Sequence, residues 1–364
     1  IALVVGGCGA PPGTDQGTSP AATGAPAGEV TAAPAQAVEG FLPCIVSGEG
    51  GFNDRSFNQS AFEGLQAAAS HFGLQSFPNV TSNSVADYIP NIQSLLGQNC
   101  SLITAISFNL APATVESAHA NPNVHYLLVD DSGVIDGEQP PDNLKSVLFN
   151  TAEAAFLAGY LAAGYSAREG GAHHVGTFGG ANFPTVTIFM DGFRQGVEYY
   201  NSQNDANVQF TGWDGYDGSF TGNFQAGQQA QAMAQGIIDQ GVDVILPVGG
   251  PIYQSAVAAI TDSNRDVALI GVDMDLFYTD PSTQPVLLTS ILKNVSGAVE
   301  NSVIESGNGN WTPTPYVGDL ANDGVGLAPF HNFDSQIPQD LRGQIEQLRQ
   351  DIIAGNVVVE SYLG

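Results

Sequence analysis

The chain has 364 residues, 43% hydrophobic and 12% charged, enough apolar content for one large or two ordinary globular domains and too much for a disordered polyelectrolyte. Asp and Glu number 36 against 8 Lys and Arg, a formal net charge of −28. Such a surface repels phosphate backbones and offers no basic patch to a membrane, so nucleic acid is excluded as a partner, and the acidity reads as adaptation to a salty or extracellular medium.

The first segment, Ile1-Ala2-Leu3-Val4-Val5-Gly6-Gly7-Cys8, is apolar and ends in small residues. Residues 1–8 resemble the end of a bacterial lipoprotein signal peptide, with Cys8 as the lipid-bearing cysteine; they are too short to span a bilayer core, which needs roughly 20 residues. From Gly9 to Val38 the chain is almost wholly Gly, Ala, Pro, Thr, Ser and Gln, with Asp15 and Glu29 its only charges. Residues 9–40 therefore read as a disordered tether that lacks the apolar surface to offset the entropy of ordering. A lipid-type cysteine followed by a tether is the layout of a domain held at the extracytoplasmic face of the cell membrane.

Cys44 and Cys100 lie on apolar stretches, Phe41–Val46 and Cys100–Ile106, that read as buried strands. In an exported protein, two remaining cysteines on neighbouring strands suggest a disulfide, with two free buried thiols as the alternative. Neither has a basic neighbour to make it a reactive thiolate.

Beyond residue 40 short apolar runs alternate with stretches of helical period. Phe57, Ala61, Leu65, Ala68 and Phe72 recur at steps of four and three, an amphipathic helix ended by Gly73. Further helices are expected at about 84–97, 111–121, 151–166, 185–202, 224–240 and 293–306, and strands at 101–106, 124–129, 145–149, 174–178, 207–211, 242–247, 267–272 and 286–291. This alternation, with near-continuous Val/Ile/Leu strands, predicts an α/β fold with parallel sheets covered on both faces. The pattern is also doubled. The strand containing Leu102 and the strand ending at Asp130 are 28 residues apart, those marked by Val244 and Asp273 are 29 apart, and both second strands end in Val-Asp. Two similar lobes, each presenting a carboxylate at the carboxyl end of a strand, make a cleft.

The segment Gly50-Gly51-Phe52-Asn53-Asp54-Arg55-Ser56-Phe57-Asn58-Gln59-Ser60 joins the first strand to the first helix. Its glycine pair permits close backbone approach, its amides, carboxylate and hydroxyl offer hydrogen bonds, and Phe57 offers a flat apolar face. Capping of the helix by Asp54 or Ser56 accounts for part of this composition.

From Asn53 to Gly64 the sequence resembles the signature of the BMP (basic membrane protein) family, purine nucleoside receptor A-like lipoproteins that serve ABC transporters as substrate-binding proteins. Phe149–Tyr160, Val175–Gly180 with Pro184, Gly192–Gly196, Gly241–Ile245, Ile270–Asp275 and Leu288–Val295 follow in the family's order. The resemblance spans about 41–357. It implies a type I periplasmic-binding fold, two Rossmann-like lobes joined by a multi-strand hinge and closing on a ligand. Its lobes are expected at 41–149 plus about 276–310, and at 150–275 plus about 311–364. It further implies a nucleoside ligand, purine in type, delivered to a permease, with Phe57 and Phe220 as the stacking pair and Asp130 and Asp273 as ribose acceptors. Asn53, Asp54, Asn58, Phe108, Gly249, Gly250 and Lys293 complete the expected site, Lys293 being one of only two lysines. The chain departs from the family pattern at Ser107-Phe108-Asn109-Leu110 and at Thr221-Gly222-Asn223-Phe224.

No Gly-x-x-x-x-Gly-Lys-Ser/Thr loop occurs, so this is not the transporter's ATPase, and no His-Glu-x-x-His or paired Cys-x-x-Cys supports a zinc site. The expectation is a monomer without cofactor, metal or catalytic residues. Rival readings are a nucleoside or sugar hydrolase working through Asp54, Asp130, Asp273 and Asp275, and a ligand-sensing receptor of the same fold.

Overall fold

A computed structural model describes residues 34–363; the expected signal-peptide end, Cys8 and the tether up to residue 33 lie outside the described residues. The first half runs β1 (Pro43–Ser47), α1 (Phe57–His71), β2 (Asn79–Thr81), α2 (Tyr88–Gly97), β3 (Leu102–Ile106), α3 (Ala111–Ala120), β4 (His125–Val129) and β5 (Leu144–Phe149). There follow α4 (Thr151–Ser166), β6 (His174–Gly179), α5 (Pro184–Asn204), β7 (Gln209–Thr211), α6 (Gln228–Ile238), β8 (Val244–Val248), α7 (Ile252–Ser263), β9 (Ala268–Asp273), α8 (Leu276–Thr279) and β10 (Leu287–Lys293). The chain closes with α9 (Val295–Gly307), β11 (Tyr316–Gly318), β12 (Val325–Leu327) and α10 (Gln339–Ile353).

Two six-stranded sheets result, ordered β11-β5-β4-β3-β1-β2 and β12-β10-β9-β8-β6-β7. Every pairing is parallel except β10 with β12. Strand alternation divides the core. Ile45 packs on the side of α1 and α9, while Cys44 and Val46 face Tyr88, Ile92 and Leu95 of α2. The disulfide Cys44–Cys100 ties β1 to the segment entering β3, with Cα atoms 5.9 Å apart. In the second lobe α4 is buried nearly all round, and its contact with α5 is close because Gly159, Gly192 and Gly196 leave no room for a Cβ against the facing backbone.

The chain crosses between the sheets at Asn150, at Asn294 and between β11 and β12. This corrects the expected lobe boundaries. Residues 276–293 were expected with the first lobe, but β10 pairs with β9 and β12, so one crossover falls at Asn294; the segment from 311 was expected with the second lobe, but β11 pairs with β5, so the last crossover falls between β11 and β12. Residues 34–40, expected to belong to the tether, are docked on the first lobe. The Ala35 N–H donates to His71 O (2.9 Å) and the Val38 N–H to Gly307 O (2.8 Å), docking this segment on the ends of α1 and α9. Helix α6 begins at Gln228 rather than 224, because Thr221 Oγ1 and Gln229 Nε2 hold the preceding residues in a turn.

Among the described residues no helix is long and apolar enough to cross a membrane, and no group of three or more His, Cys, Asp or Glu is placed to hold a metal ion.

Candidate functional site

The carboxyl ends of β1, β3 and β4 in one sheet and of β8, β9 and β10 in the other face a shared cavity, the place where open α/β sheets bind ligands. One wall carries Glu49, Asp54, Phe57, Asn58, Ser107, Phe108, Asn109 and Asp130; the opposite wall carries Thr185, Val186, Phe189, Phe224, Val248–Pro251, Val272, Asp273 and Lys293.

Asp130 and Asp273 occupy matching places. Each is the residue that turns the chain out of its strand, with φ of +72° and +69°, a left-handed conformation that Asp tolerates better than most residues. Each carboxylate reaches across to the other lobe's partner: Lys293 Nζ donates to Asp130 Oδ2 at 2.5 Å, and Ser56 Oγ donates to Asp273 Oδ2 at 2.6 Å. Burial pushes the Asp273 carboxyl up to about 6, against the opposing pull of the Lys293 charge and the Ser56 hydroxyl. The Lys293 ammonium also lies 4.8 Å from the Phe57 ring and 5.8 Å from the Phe189 ring, within range of cation–π attraction.

Asp54 is largely spent on local structure. Its two oxygens accept four hydrogen bonds, all at 3.0 Å, from the backbone N–H groups of Ser56, Asn58 and Gln59 and from Asn58 Nδ2, capping the start of α1. Burial still pushes its carboxyl above the ordinary value. Asn58 donates to both Asp54 and Glu49 O, while its Oδ1 is buried with no partner beside the cavity. An unpaired buried acceptor costs about 1–3 kcal/mol and is relieved by a ligand N–H.

Of the residues expected from sequence, Asp54, Phe57, Asn58, Phe108, Asp130, Gly249, Gly250, Asp273 and Lys293 all line the cavity. Two do not. Asn53 is exposed, in a loop where Asp54 and Ser56 are buried while residues 53 and 55 face outward and Arg55 has φ +56°. Phe220 is not on the cavity wall. It bridges to Gly179 and packs edge-on against Trp213 at 5.9 Å. Phe224 takes the place facing the cavity, its ring seated where a Cβ on Gly180 or Gly249 would collide with it. Phe224 and Phe183 flank Phe108, with ring centroids 6.4 and 4.4 Å away. Glu49, Ser107, Asn109, Thr185, Val186, Phe189, Phe224, Val248, Pro251 and Val272 were not anticipated. They come from the last residues of β8 and β9, from residues just beyond β1, β3 and β8, from the loop before α6 and from the first two turns of α5.

Residues 44–361 match the family described as ABC transporter substrate-binding protein PnrA-like, Bmp. A relative named CD4+ T-cell-stimulating antigen, from Listeria monocytogenes, is 29% identical over 337 residues, 88% of each chain. The ABC transporter nucleoside-binding protein BmpA of Lactococcus lactis subsp. cremoris is 29% identical over 333 residues, covering 87% of this chain and 88% of its own. A crystal structure of an ABC transporter solute-binding protein from Aeropyrum pernix superposes with a TM-score of 0.76 at 23% identity, over 88% of this chain and 94% of that one, and supports the two-lobed fold. With a cleft built at the strand ends of two lobes, and a match that runs through both of them, the chain belongs to the Bmp family, the PnrA-like substrate-binding proteins of ABC transporters.

Proposed function

We propose that this protein binds a nucleoside, purine in type, in the cleft and delivers it to an ABC permease from the extracytoplasmic face, held at the membrane by a lipid on Cys8. The observation that carries the ligand class is the lining itself. Phenylalanine rings at 57, 108, 189 and 224 share the cavity with four carboxylates, Glu49, Asp54, Asp130 and Asp273, against the single cation Lys293. Ring faces suit a planar heterocycle, and carboxylate oxygens suit paired sugar hydroxyls, whose charge-assisted hydrogen bonds are worth about 1.5–3 kcal/mol. The same excess of negative charge disfavours a phosphate, so the ligand is the nucleoside and not the nucleotide. The printed name of the Lactococcus relative, a nucleoside-binding protein, supports the same class.

Ligand contacts to both walls favour the shut state, so binding and closure are one equilibrium. Isothermal titration with guanosine, adenosine and inosine, each beside its 5′-monophosphate, tests the reading. Binding of a nucleoside at least a hundredfold tighter than its monophosphate is expected. No binding of any nucleoside by the folded protein refutes the proposed class.

A further inference from the structure

Outside the cavity a second pair of residues joins the lobes. Arg55, on the loop before α1, places Nη1 2.9 Å from Oδ2 of Asp280, which follows α8 on the other lobe. Thr279 Oγ1 adds a cross-lobe hydrogen bond to Arg55 O at 3.4 Å. Neither Arg55 nor Asp280 lines the ligand cavity. We propose that this pair is a latch that holds the cleft shut and sets how fast ligand leaves, a positioning role with no ligand contact. The proposal rests on the reading that the cleft closes around its ligand.

The two halves of the latch are built differently. Asp280 is buried, and its carboxylate accepts from Tyr253 Oη (3.0 Å), the Ser282 N–H (3.2 Å) and Ser282 Oγ (2.7 Å), all within its own lobe. When the lobes part, these three bonds remain, so opening sacrifices the ion pair without stranding a buried acceptor. On the other side Arg55 is half exposed, its backbone fixed at φ +56° between the inward-turned Asp54 and Ser56, with its N–H on Gln59 Oε1 at 3.2 Å. The side chain is thereby aimed off the lip of the cleft, where it meets a rigid acceptor on closing and water on opening. Closing gains the ion pair and opening returns Arg55 to water while Asp280 keeps its own partners, which is what a latch requires. In a chain with 8 Lys and Arg against 36 Asp and Glu, a cation at the lip also lessens repulsion between two acidic lobes.

A half-exposed ion pair is screened by salt. Salt also screens the repulsion between the two acidic lobes, which acts in the opposite sense, so the pair's own contribution is read as the difference in salt response between wild type and Arg55→Ala. The test uses the full chain, the variants Arg55→Ala, Arg55→Lys and Asp280→Asn, and the double variant Arg55→Ala/Asp280→Asn. Stopped-flow release of guanosine and adenosine is read at 0.05 and 0.5 M salt, alongside small-angle scattering of the ligand-free proteins.

Arg55→Ala is expected to speed release about threefold to fivefold at low salt, with the gap to wild type closing at 0.5 M salt, and to enlarge the ligand-free radius of gyration, with Arg55→Lys close to wild type. The double variant should match the single ones, as a coupled pair requires. Release and scattering that ignore Arg55→Ala, or effects of the two single variants that add, overturn the latch. If no nucleoside binds, the scattering comparison decides the latch by itself and only the ligand class has failed.

Discussion

Lys293 and Asp130 form an ion pair across the junction of the two lobes, Nζ to Oδ2 at 2.5 Å, with side chains 3% and 11% exposed. Its surroundings are the Phe57, Phe149 and Phe189 rings on one side and the buried Asp273 on the other. Removing the cation leaves two carboxylates without their compensating charge. Lys293→Met is expected to lose about 3–5 kcal/mol of stability at pH 7, measured by urea unfolding, because breaking a buried pair costs more than the pair contributes. A loss below about 1 kcal/mol shows that water already compensates Asp130.

Asp273 gives the cleft a pH dependence. Burial raises its carboxyl from the ordinary 3.8 to about 6, so between those values the folded protein holds a proton that the unfolded chain has released. This group's contribution to stability is present below about pH 4 and is lost as the pH rises through 6. Ligand binding runs the other way, since a sugar hydroxyl makes its strong, charge-assisted hydrogen bond only to the ionised form. Affinity for a nucleoside is expected to be about tenfold weaker at pH 5 than at pH 7, and Asp273→Asn to flatten that profile. A flat wild-type profile by titration calorimetry removes Asp273 from the contact set.

The positions of two phenylalanines make separable predictions. Phe224→Ala is expected to weaken nucleoside binding tenfold or more, a loss of at least ~1.4 kcal/mol, with a small change in melting temperature. Phe220, packed on Trp213 and Gly179, is a lobe residue: Phe220→Ala is expected to lower the melting temperature while leaving affinity within about threefold. The reverse pattern would return Phe220 to the cavity wall.

Gly249 tests the same geometry from behind. It sits at φ +141°, and a Cβ there would lie 2.8 Å from Phe224 Cδ1. Gly249→Ala is expected to displace the Phe224 ring and weaken binding about as much as Phe224→Ala, so the double variant should show little further loss.

The Cys44–Cys100 bridge closes a loop with a sequence separation of 56. Replacing both cysteines by alanine is expected to cost about 3–4 kcal/mol in denaturant unfolding. Alkylation of the folded, unreduced protein at Cys44 or Cys100 would show that the thiols are free.

Much of the architecture was legible because it rests on short-range pattern. Period-two and period-3.6 repeats placed β3, β4, β8 and β9 and the helices between them, and the matched Val-Asp endings placed Asp130 and Asp273 at corresponding strand ends. Strands β2, β11 and β12 have three residues each, too few to carry a period, whereas the equally short β7 was marked by the alternation of Val208 and Phe210 across 207–211. Helix α10 was overlooked although Leu341, Ile345, Leu348 and Ile352 repeat at steps of four, three and four.

What the sequence by itself determined is the alternation of strand and helix, the doubling into two lobes, and the polar and aromatic residues at the strand ends, since each follows from a local period or a local turn. Only the tertiary structure decided which aromatic ring faces the cavity, that β10 joins the second sheet, that Asp54 is committed to capping α1, and that Arg55 meets Asp280. Those outcomes depend on contacts between segments far apart in the chain: a ring fits where Gly180 and Gly249 leave space, and an ion pair forms where two lobes meet, and no local period encodes either.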